Sequence, residues 1–354
     1  MAIDYVKQDI EPNFLTGIPE RYYQKFDHLC SIKSVPPVPV VKYRALGRAT
    51  ERLGRKGYGD SDQDIMEFLY KNTFATARQL YEFMTLYYKT PAVVDKEKFV
   101  DRLHQLVHDH ILDSFTLRST QDAMGEFKDA LEIFCLDFGA KYILENFGED
   151  PSSTYSWFST VNNRSSKIVA KMLTQTEFYV ATMRTIKHNR PDLKPDDYVK
   201  NYISWPKFGM GTDTFELSGQ VDFNYLTNKT RSLLMDVVYP NEEATYFRKR
   251  LKQTDELLHS KKWQRYFDLC LQPPKFIIIV ADLQKQLQAI AMSLTNATKF
   301  EPDEFLLIQA KDLATGFMDD ARGKFYQMRV VKQEGKPDQL QIGEAKLNWF
   351  GAGA

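Results

Sequence analysis

Apolar residues recur at helical spacing in three successive segments between residues 60 and 108. Positions three and four apart share one face of an α-helix, so each segment is predicted to be an amphipathic helix. The apolar positions of the three helices are, in order, Ile65, Phe68 and Leu69; Leu80, Phe83 and Met84; and Phe99, Leu103, Leu106 and Val107. Two strand-like runs follow at 111–117 and 131–136, on either side of a polar loop that contains a glycine.

Three helices followed by a β-hairpin predict a winged helix-turn-helix. Such a unit presents one helix to a DNA major groove and the hairpin to the flanking backbone.

The second half of the chain has a different pattern, which begins with a long amphipathic helix predicted at 163–187. Strands are predicted at 219–225, 231–239, 275–281 and 305–309, helices at 242–258 and 283–294, a final hairpin at 324–331 and 340–342, and a loop with two prolines at 194–207. This order of strands and helices is typical of an α/β fold. Because the run at 277–280 is apolar at every position, it predicts a strand buried on both faces of a mixed central sheet.

A turn-rich segment at 148–159 marks the predicted boundary between two folded domains. We predict a winged helix-turn-helix domain at 60–148 and an α/β domain at 160–345. An extended basic arm at 1–59, which contains a proline-rich run, precedes them, and a flexible tail at 346–354 follows.

Composition and motifs limit the ligands and the cellular location that we expect for this protein. The 47 basic and 47 acidic residues balance, so only a local basic patch could favour nucleic acid. The three cysteines lie far apart without a CxxC pair, which suits a reducing cytoplasm. We find no signal peptide, no apolar run long enough to span a membrane, and no phosphate-binding loop or HExxH pair. We therefore expect a cytoplasmic protein with no membrane insertion, no cofactor and no metal.

Basic residues are concentrated in the arm before the first helix, with Glu51 as the one acid among them. They are Lys42, Arg44, Arg48, Arg52, Arg55 and Lys56. Such a segment can follow a phosphate backbone. It can equally be a solvated linker.

The third predicted helix is the candidate for reading bases, through Lys98, Arg102 and Gln105. Arginine can bind guanine bidentately and glutamine can bind adenine. The same helix carries three acids that would repel phosphates: Glu97, Asp101 and Asp109. Because winged helices also dock proteins, a protein-binding role stays open.

In the second half, Asp222 and Asp236 lie on consecutive predicted strands. Two carboxylates on adjacent strands can hold a divalent metal for phosphodiester hydrolysis. Nucleases usually have a lysine two residues after the second acid, and here that position is Val238. The alternative, which we favour, is that both aspartates are structural.

A basic helix and its continuation follow this pair. The cations are Arg248, Lys249, Arg250, Lys252, Lys261 and Lys262. They predict either a solvated helix face or a surface that contacts phosphates.

Several runs resemble the replication-relaxation family of Gram-positive plasmids and integrative elements. In the first half they are Thr-Ala-Arg-Gln-Leu at 76–80, Arg-Leu-His-Gln-Leu-Val at 102–107 with Ile-Leu at 111–112, and Ile-Phe-Cys-Leu-Asp-Phe-Gly at 133–139. In the second half they are Val-Asp at 221–222, Leu-Met-Asp-Val-Val-Tyr-Pro-Asn-Glu at 234–242 and the basic helix at 248–258. The resemblance covers about residues 60–310. It implies a winged helix joined to a degenerate restriction-endonuclease-like α/β domain.

The same resemblance implies a DNA-associated role in plasmid replication or conjugative transfer, as an accessory relaxosome protein. The family often has a Glu-x-Asp pair in the second strand, where this chain has Asp236-Val237-Val238. The missing second acid argues against a working metal site.

The leading hypothesis is therefore a non-catalytic protein that binds double-stranded DNA. A relaxase or coupling protein is a candidate further partner, and a homodimer is a candidate oligomeric state. One alternative is a metal-dependent nuclease that uses Asp222 and Asp236. Others are a docking scaffold for a relaxase or coupling protein, and a transcriptional regulator.

Overall fold

The structure is a computed structural model in which the chain forms two compact units, unit 1 at Met1–Val180 and unit 2 at Ala181–Ala354. It describes residues 60–87, 95–118, 130–137, 139–140, 143–144, 166–189, 191–192, 194–226, 229–238, 244–280, 283, 286, 290, 304–310, 312–315, 325–331 and 339–345. The predicted basic arm, with its six cations, and the predicted tail lie outside the described residues.

Unit 1 combines helices with a three-stranded antiparallel sheet. Its elements are α1 (Asp60–Asn72), β1 (Ala75–Thr76), α2 (Ala77–Tyr87), α3 (Lys96–His108), β2 (Leu112–Arg118), β3 (Ala130–Leu136) and the first part of α4 (Ser166–Asn189). Strand β3 lies between β1 and β2 and pairs antiparallel with both. Phe68, Leu80 and Leu103, one from each of the first three helices, are buried. The apolar spacing in the sequence therefore corresponds to the faces that these helices turn inward.

The ends of α3 are fixed by two local features. At the start, the Asp95 carboxylate accepts a hydrogen bond of 3.1 Å from the Lys98 backbone N–H and so caps the helix. After the end, His110 adopts a positive φ of 59°, and Gly139 packs against it. A Cβ at Gly139 would lie 2.5 Å from the His110 carbonyl oxygen. Only glycine therefore fits where the chain leaves β3.

A buried polar network joins α2 to α4 within unit 1. The Arg78 guanidinium is buried and binds two carboxylates, that of Glu177 and, at 2.7 Å, that of Glu82. The Gln79 amide donates to the same Glu177 carboxylate at 2.9 Å. Arg78 and Gln79 belong to the run at 76–80 that carries the family resemblance. In this chain they therefore hold two helices of unit 1 together.

Unit 2 is built on a seven-stranded mixed sheet. Its elements after α4 are α5 (Pro195–Tyr198), β4 (Val199–Ser204), β5 (Lys207–Met210), β6 (Asp213–Glu216), β7 (Gly219–Leu226), β8 (Lys229–Val238), α6 (Ala244–His259), a 3-10 helix (Lys261–Arg265), β9 (Lys275–Val280), β10 (Phe305–Gln309), α7 (Asp312–Thr315), β11 (Phe325–Val331) and β12 (Gln339–Ala345). The sheet order is β12-β11-β10-β9-β8-β7-β4, with β5 and β6 paired separately. Strands β8, β9 and β10 are parallel, and the pairings beyond them on both sides are antiparallel. The chain is therefore mixed α and β, and the predicted mixed sheet is confirmed.

Strand β9 is the centre of the sheet and of the core. Ile277 and Ile279 point to one face, Phe276 and Ile278 to the other, and all four are buried. Helix α6 covers the second of these faces, because its residue Leu251 belongs to the same hydrophobic cluster as Phe276 and Ile278. The prediction of a strand buried on both faces is confirmed.

The predicted loop at 194–207 is wrong, because this segment contains α5 and the edge strand β4. Its two prolines, Pro195 and Pro206, stand at either end and leave the residues between them free to pair with β7. At the edge of the sheet fewer neighbours cover the side chains, and only Val199 and Tyr202 of β4 are buried, so the strand has no apolar run. None of the helices in the described part of the chain has both the length and the apolar character needed to cross a membrane.

Candidate functional site

The central predicted base-reading residue of α3 is bound to another helix of unit 1. The Arg102 Nε and Nη2 atoms donate to the two Asp62 carboxylate oxygens at 2.8 and 2.5 Å, and Nη1 donates to Gln105 Oε1 at 2.9 Å. Asp62 lies on α1 and is buried, whereas the Arg102 side chain is 25% exposed. Such a bidentate pair fixes the guanidinium plane. Arg102 thus tethers α3 to α1 and holds Gln105 beside it.

The solvent-facing surface of α3 carries both signs of charge. The Lys98 side chain is 73% exposed, and its ammonium lies 3.3 Å from the Asp95 carboxylate. Lys96 and Gln105 are exposed as well, but so are the acids Glu97 and Asp101. The surface can offer cations and an amide to a phosphate or a base edge, with acids between them.

His104 connects α3 to the sheet of unit 1. Its Nε2 lies 3.2 Å from the carboxylate of Glu132, a buried residue of β3. The hydrogen bond with Glu132 raises the pKa of His104, and burial opposes it. Folding therefore shifts the titration of His104 to higher pH than that of a free imidazole.

A second titratable group of unit 1 lies at the base of the β2–β3 hairpin. Asp113 stands across from Cys135 in the strand register. Burial, and then the charge of Asp137, raise the pKa of Asp113 to about 7. Burial also raises the pKa of the Cys135 thiol, which keeps it protonated.

In unit 2, Asp222 lies on β7 within a cluster of hydrogen-bond donors. The Ser232 hydroxyl donates to it at 2.5 Å, the Gln220 amide at 2.9 Å and the Asn201 amide at 3.2 Å. Ser232 Oγ also lies 3.1 Å from the Cys270 sulfur. The Asp222 carboxylate is therefore buried but well satisfied by neutral donors.

Asp236 lies on β8 and has a different environment. Arg250 Nε of α6 donates to Asp236 Oδ2 at 2.8 Å, and the Ser218 hydroxyl donates to Oδ1 at 3.1 Å. Asp236 and Arg250 are both buried. A predicted metal ligand and a predicted DNA contact thus neutralise each other in an ion pair.

The structure does not bring the two aspartates together. In the β7–β8 register, Asp222 stands across from Ser232, four residues before Asp236 on the same strand. Four residues of strand span about 13 Å, which is too far for two carboxylates to bind one ion. Among the described residues, no three His, Cys, Asp or Glu side chains gather into a group that could hold a metal.

The cations of α6 and of the 3-10 helix have three kinds of environment. Arg250 points inward and Arg248 is half-buried, whereas Lys249 and Lys252 are exposed. Arg250 also lies 5.0 Å from the centre of the Tyr246 ring, one turn earlier on the helix. On the 3-10 helix Lys261 is exposed, and Lys262 pairs with Glu256 at 2.5 Å.

Sequence reasoning missed the inward orientation of Arg250 and the role of Ser218. Helical phase carried the signal for Arg250, because it lies three and four positions from the buried Phe247 and Thr254. Nothing in the sequence spacing marked Ser218, because its position depends on the register between β7 and β8.

No protein-family model matches the chain, and no curated protein matches it.

Proposed function

We propose that the chain is a non-catalytic accessory protein that binds double-stranded DNA during the processing of a plasmid or conjugative element. Unit 1 acts as a winged helix-turn-helix in this proposal. The observation that carries it is the arrangement of unit 1, in which three helices precede a hairpin and the strand order is β1-β3-β2. In this arrangement α3 packs on β2, so that the hairpin and α3 lie side by side in unit 1.

In the proposed complex, α3 contacts the major groove through its exposed side chains. Lys98 contacts a phosphate, and Gln105 contacts a base edge. Arg102 holds the helix in place through Asp62 rather than reading a base itself. The acids Glu97 and Asp101 limit affinity, which suits a protein that acts beside a second DNA-binding factor.

Unit 2 is proposed to be a nuclease-like fold without catalysis. The β7–β8 hairpin, α6 and the parallel strand β9 support a relation to the restriction-endonuclease-like core. The ion pair between Asp236 and Arg250 supports the loss of a metal site, because the carboxylate already has a buried cation as its partner. The distance between Asp222 and Asp236 along the sheet supports it further.

Fluorescence anisotropy with a labelled duplex tests the proposal for unit 1. We expect Lys98→Ala and Gln105→Ala each to weaken duplex binding, and Lys98→Ala to lower the slope of log affinity against log salt by about 0.9, because one phosphate contact is lost. Lys71→Ala, a change of another exposed lysine of unit 1, is the control and leaves both quantities unchanged. Unaltered duplex affinity in the two α3 variants would show that α3 is not the DNA-binding helix.

Cleavage assays with Mg²⁺ or Mn²⁺ separate this function from a nuclease. We expect no cleavage of single-stranded, duplex or nicked DNA. Metal-dependent cleavage that Asp222→Asn or Asp236→Asn abolishes would overturn the non-catalytic assignment.

A pull-down with the proposed relaxase or coupling protein tests how that partner associates. Association that survives nuclease treatment indicates direct docking between the proteins, and association that is lost indicates bridging by DNA.

A further inference from the structure

Tyr246 is the aromatic side chain that unit 2 exposes most strongly among its described residues. It is 60% exposed, on the first turn of α6. The ring contributes nothing to the hydrophobic cluster beneath α6, which uses Phe247 and Leu251 on the neighbouring face. Among the described residues, the apolar core of this unit therefore does not account for an aromatic residue at this position.

A buried ion pair lies against the Tyr246 ring. The guanidinium of Arg250 lies 5.0 Å from the ring centre and is bound in turn to Asp236 on β8. Ser218 donates to the other oxygen of Asp236 and accepts from the Val237 backbone N–H at 2.9 Å. The orientation of a surface ring is thus linked to the central sheet, and a ring that is held in advance loses less entropy when a ligand stacks on it.

Exposed cations lie beside the ring. Lys249 and Lys252 follow Tyr246 at intervals of three residues, and both are exposed. Neither forms an ion pair with any residue that the structure describes, whereas Lys262 is bound by Glu256. Their charge is therefore available to a polyanion.

We propose that α6 binds single-stranded nucleic acid, with one base stacked on Tyr246 and adjacent phosphates on Lys249 and Lys252. An aromatic ring beside cations is the combination that binds single strands without sequence preference. Duplex DNA would engage only the lysines, because its bases are stacked on one another and offer no free face. The inference rests on the proposed function in that both place the protein on DNA, but it uses another surface for an unpaired strand.

The test measures binding of full-length protein to a fluorescein-labelled oligothymidine of about 12 nucleotides, a length in the range that one such site covers. We expect Tyr246→Ala to weaken this binding about tenfold, the effect of losing one stacked base. Tyr246→Phe keeps the ring and should keep the affinity. Leu271→Ala is the matched control, because Leu271 is 57% exposed in the same unit, and it should change nothing.

The lysines are tested by the salt dependence of the same binding. Lys249→Ala should lower the slope of log affinity against log salt by about 0.7, the value for one phosphate contact on a single strand. Lys207→Ala is the control, because Lys207 is also exposed in unit 2 but pairs with Glu216 at 3.0 Å. An equal loss of slope in both variants would contradict a localised phosphate site.

The duplex measurement distinguishes failure of this inference from failure of the proposed function. Duplex binding that depends on Lys98, together with oligothymidine binding that is absent or unaffected by Tyr246→Ala, overturns the inference and leaves the proposed function standing. Oligothymidine binding that Tyr246→Ala weakens, without any duplex binding, supports the inference and overturns the proposed function. Binding to neither probe overturns both.

Discussion

Helices α3 and α6 were the two helices whose basic residues predicted contact with DNA, and both place an arginine against a buried aspartate instead. Arg102 of α3 binds Asp62, and Arg250 of α6 binds Asp236. The helices differ in what remains at the surface. The exposed side of α3 alternates lysines with acids, whereas the first turns of α6 expose lysines beside an aromatic ring. Counting charges along a helix therefore overestimates its cationic surface whenever an arginine lies in phase with the apolar face.

The largest expected difference between the two ion pairs is in stability. Asp236→Ala leaves the Arg250 charge buried without its carboxylate, so the free energy of unfolding should fall by about 3–5 kcal/mol. Urea denaturation followed by circular dichroism measures this. Replacing both partners, as Asp236→Leu with Arg250→Met, should recover most of the loss, because it removes the buried charge as well. A fall below about 1 kcal/mol for Asp236→Ala would mean that Arg250 reaches water.

The matching change in unit 1 should be milder. Asp62→Ala removes two hydrogen bonds from Arg102, but that side chain is 25% exposed and can be hydrated. We expect a loss of about 2 kcal/mol in the same urea experiment. Asp101→Ala, an exposed acid on α3, is the control and should stay within about 0.5 kcal/mol of the parent. Equal losses for the Asp62 and Asp236 variants would contradict the contrast in burial.

The larger pH-dependent effect should come from Asp113 of unit 1. Asp113 has a folded pKa of about 7, whereas an unfolded aspartate titrates near 4. The folded state thus binds the proton more tightly, and stability should fall as pH rises from about 4 to about 7. Asp113→Asn removes this decline and should raise the melting temperature at pH 8 but not at pH 4. A melting temperature that responds equally at both pH values would rule out titration as the cause.

The smallest expected effect concerns the histidines of the two helices. The contact with Glu132 raises the pKa of His104, so its contribution to stability is full below about pH 6.5 and is lost as pH rises through the higher folded value. His104→Gln should abolish a contribution of less than about 1 kcal/mol, seen as a smaller difference in urea midpoint between pH 5.5 and 8.5. In α6, burial lowers the pKa of His259 but Glu304 and Asp255 raise it overall, so His259→Gln should act in the same direction. An unchanged midpoint difference in His104→Gln would show that Glu132 does not hold the proton there.

Much of unit 2 could be predicted from sequence because its core is locally encoded. Four consecutive β-branched residues at 277–280 define β9, and the basic helix lies within one or two residues of its predicted bounds. The relation between Asp222 and Asp236 could not be predicted in the same way. A separation of fourteen residues suits a hairpin, but only the position of the turn decides which residues face each other. The register places Ser232 across from Asp222 and leaves Asp236 beside Ser218.

Helix α4 runs without a break through the residue at which the two compact units divide. Its first part supplies Glu177 to the buried Arg78 of unit 1, and its last part supplies Arg184, which donates to the Leu313 carbonyl of unit 2 at 3.3 Å. A gene fragment that stops in the turn-rich segment at 148–159 would therefore lack Glu177. The buried Arg78 guanidinium of unit 1 would then lose one of its two carboxylate partners. Separate expression of the two units calls for overlapping fragments, each of which retains the whole of this helix.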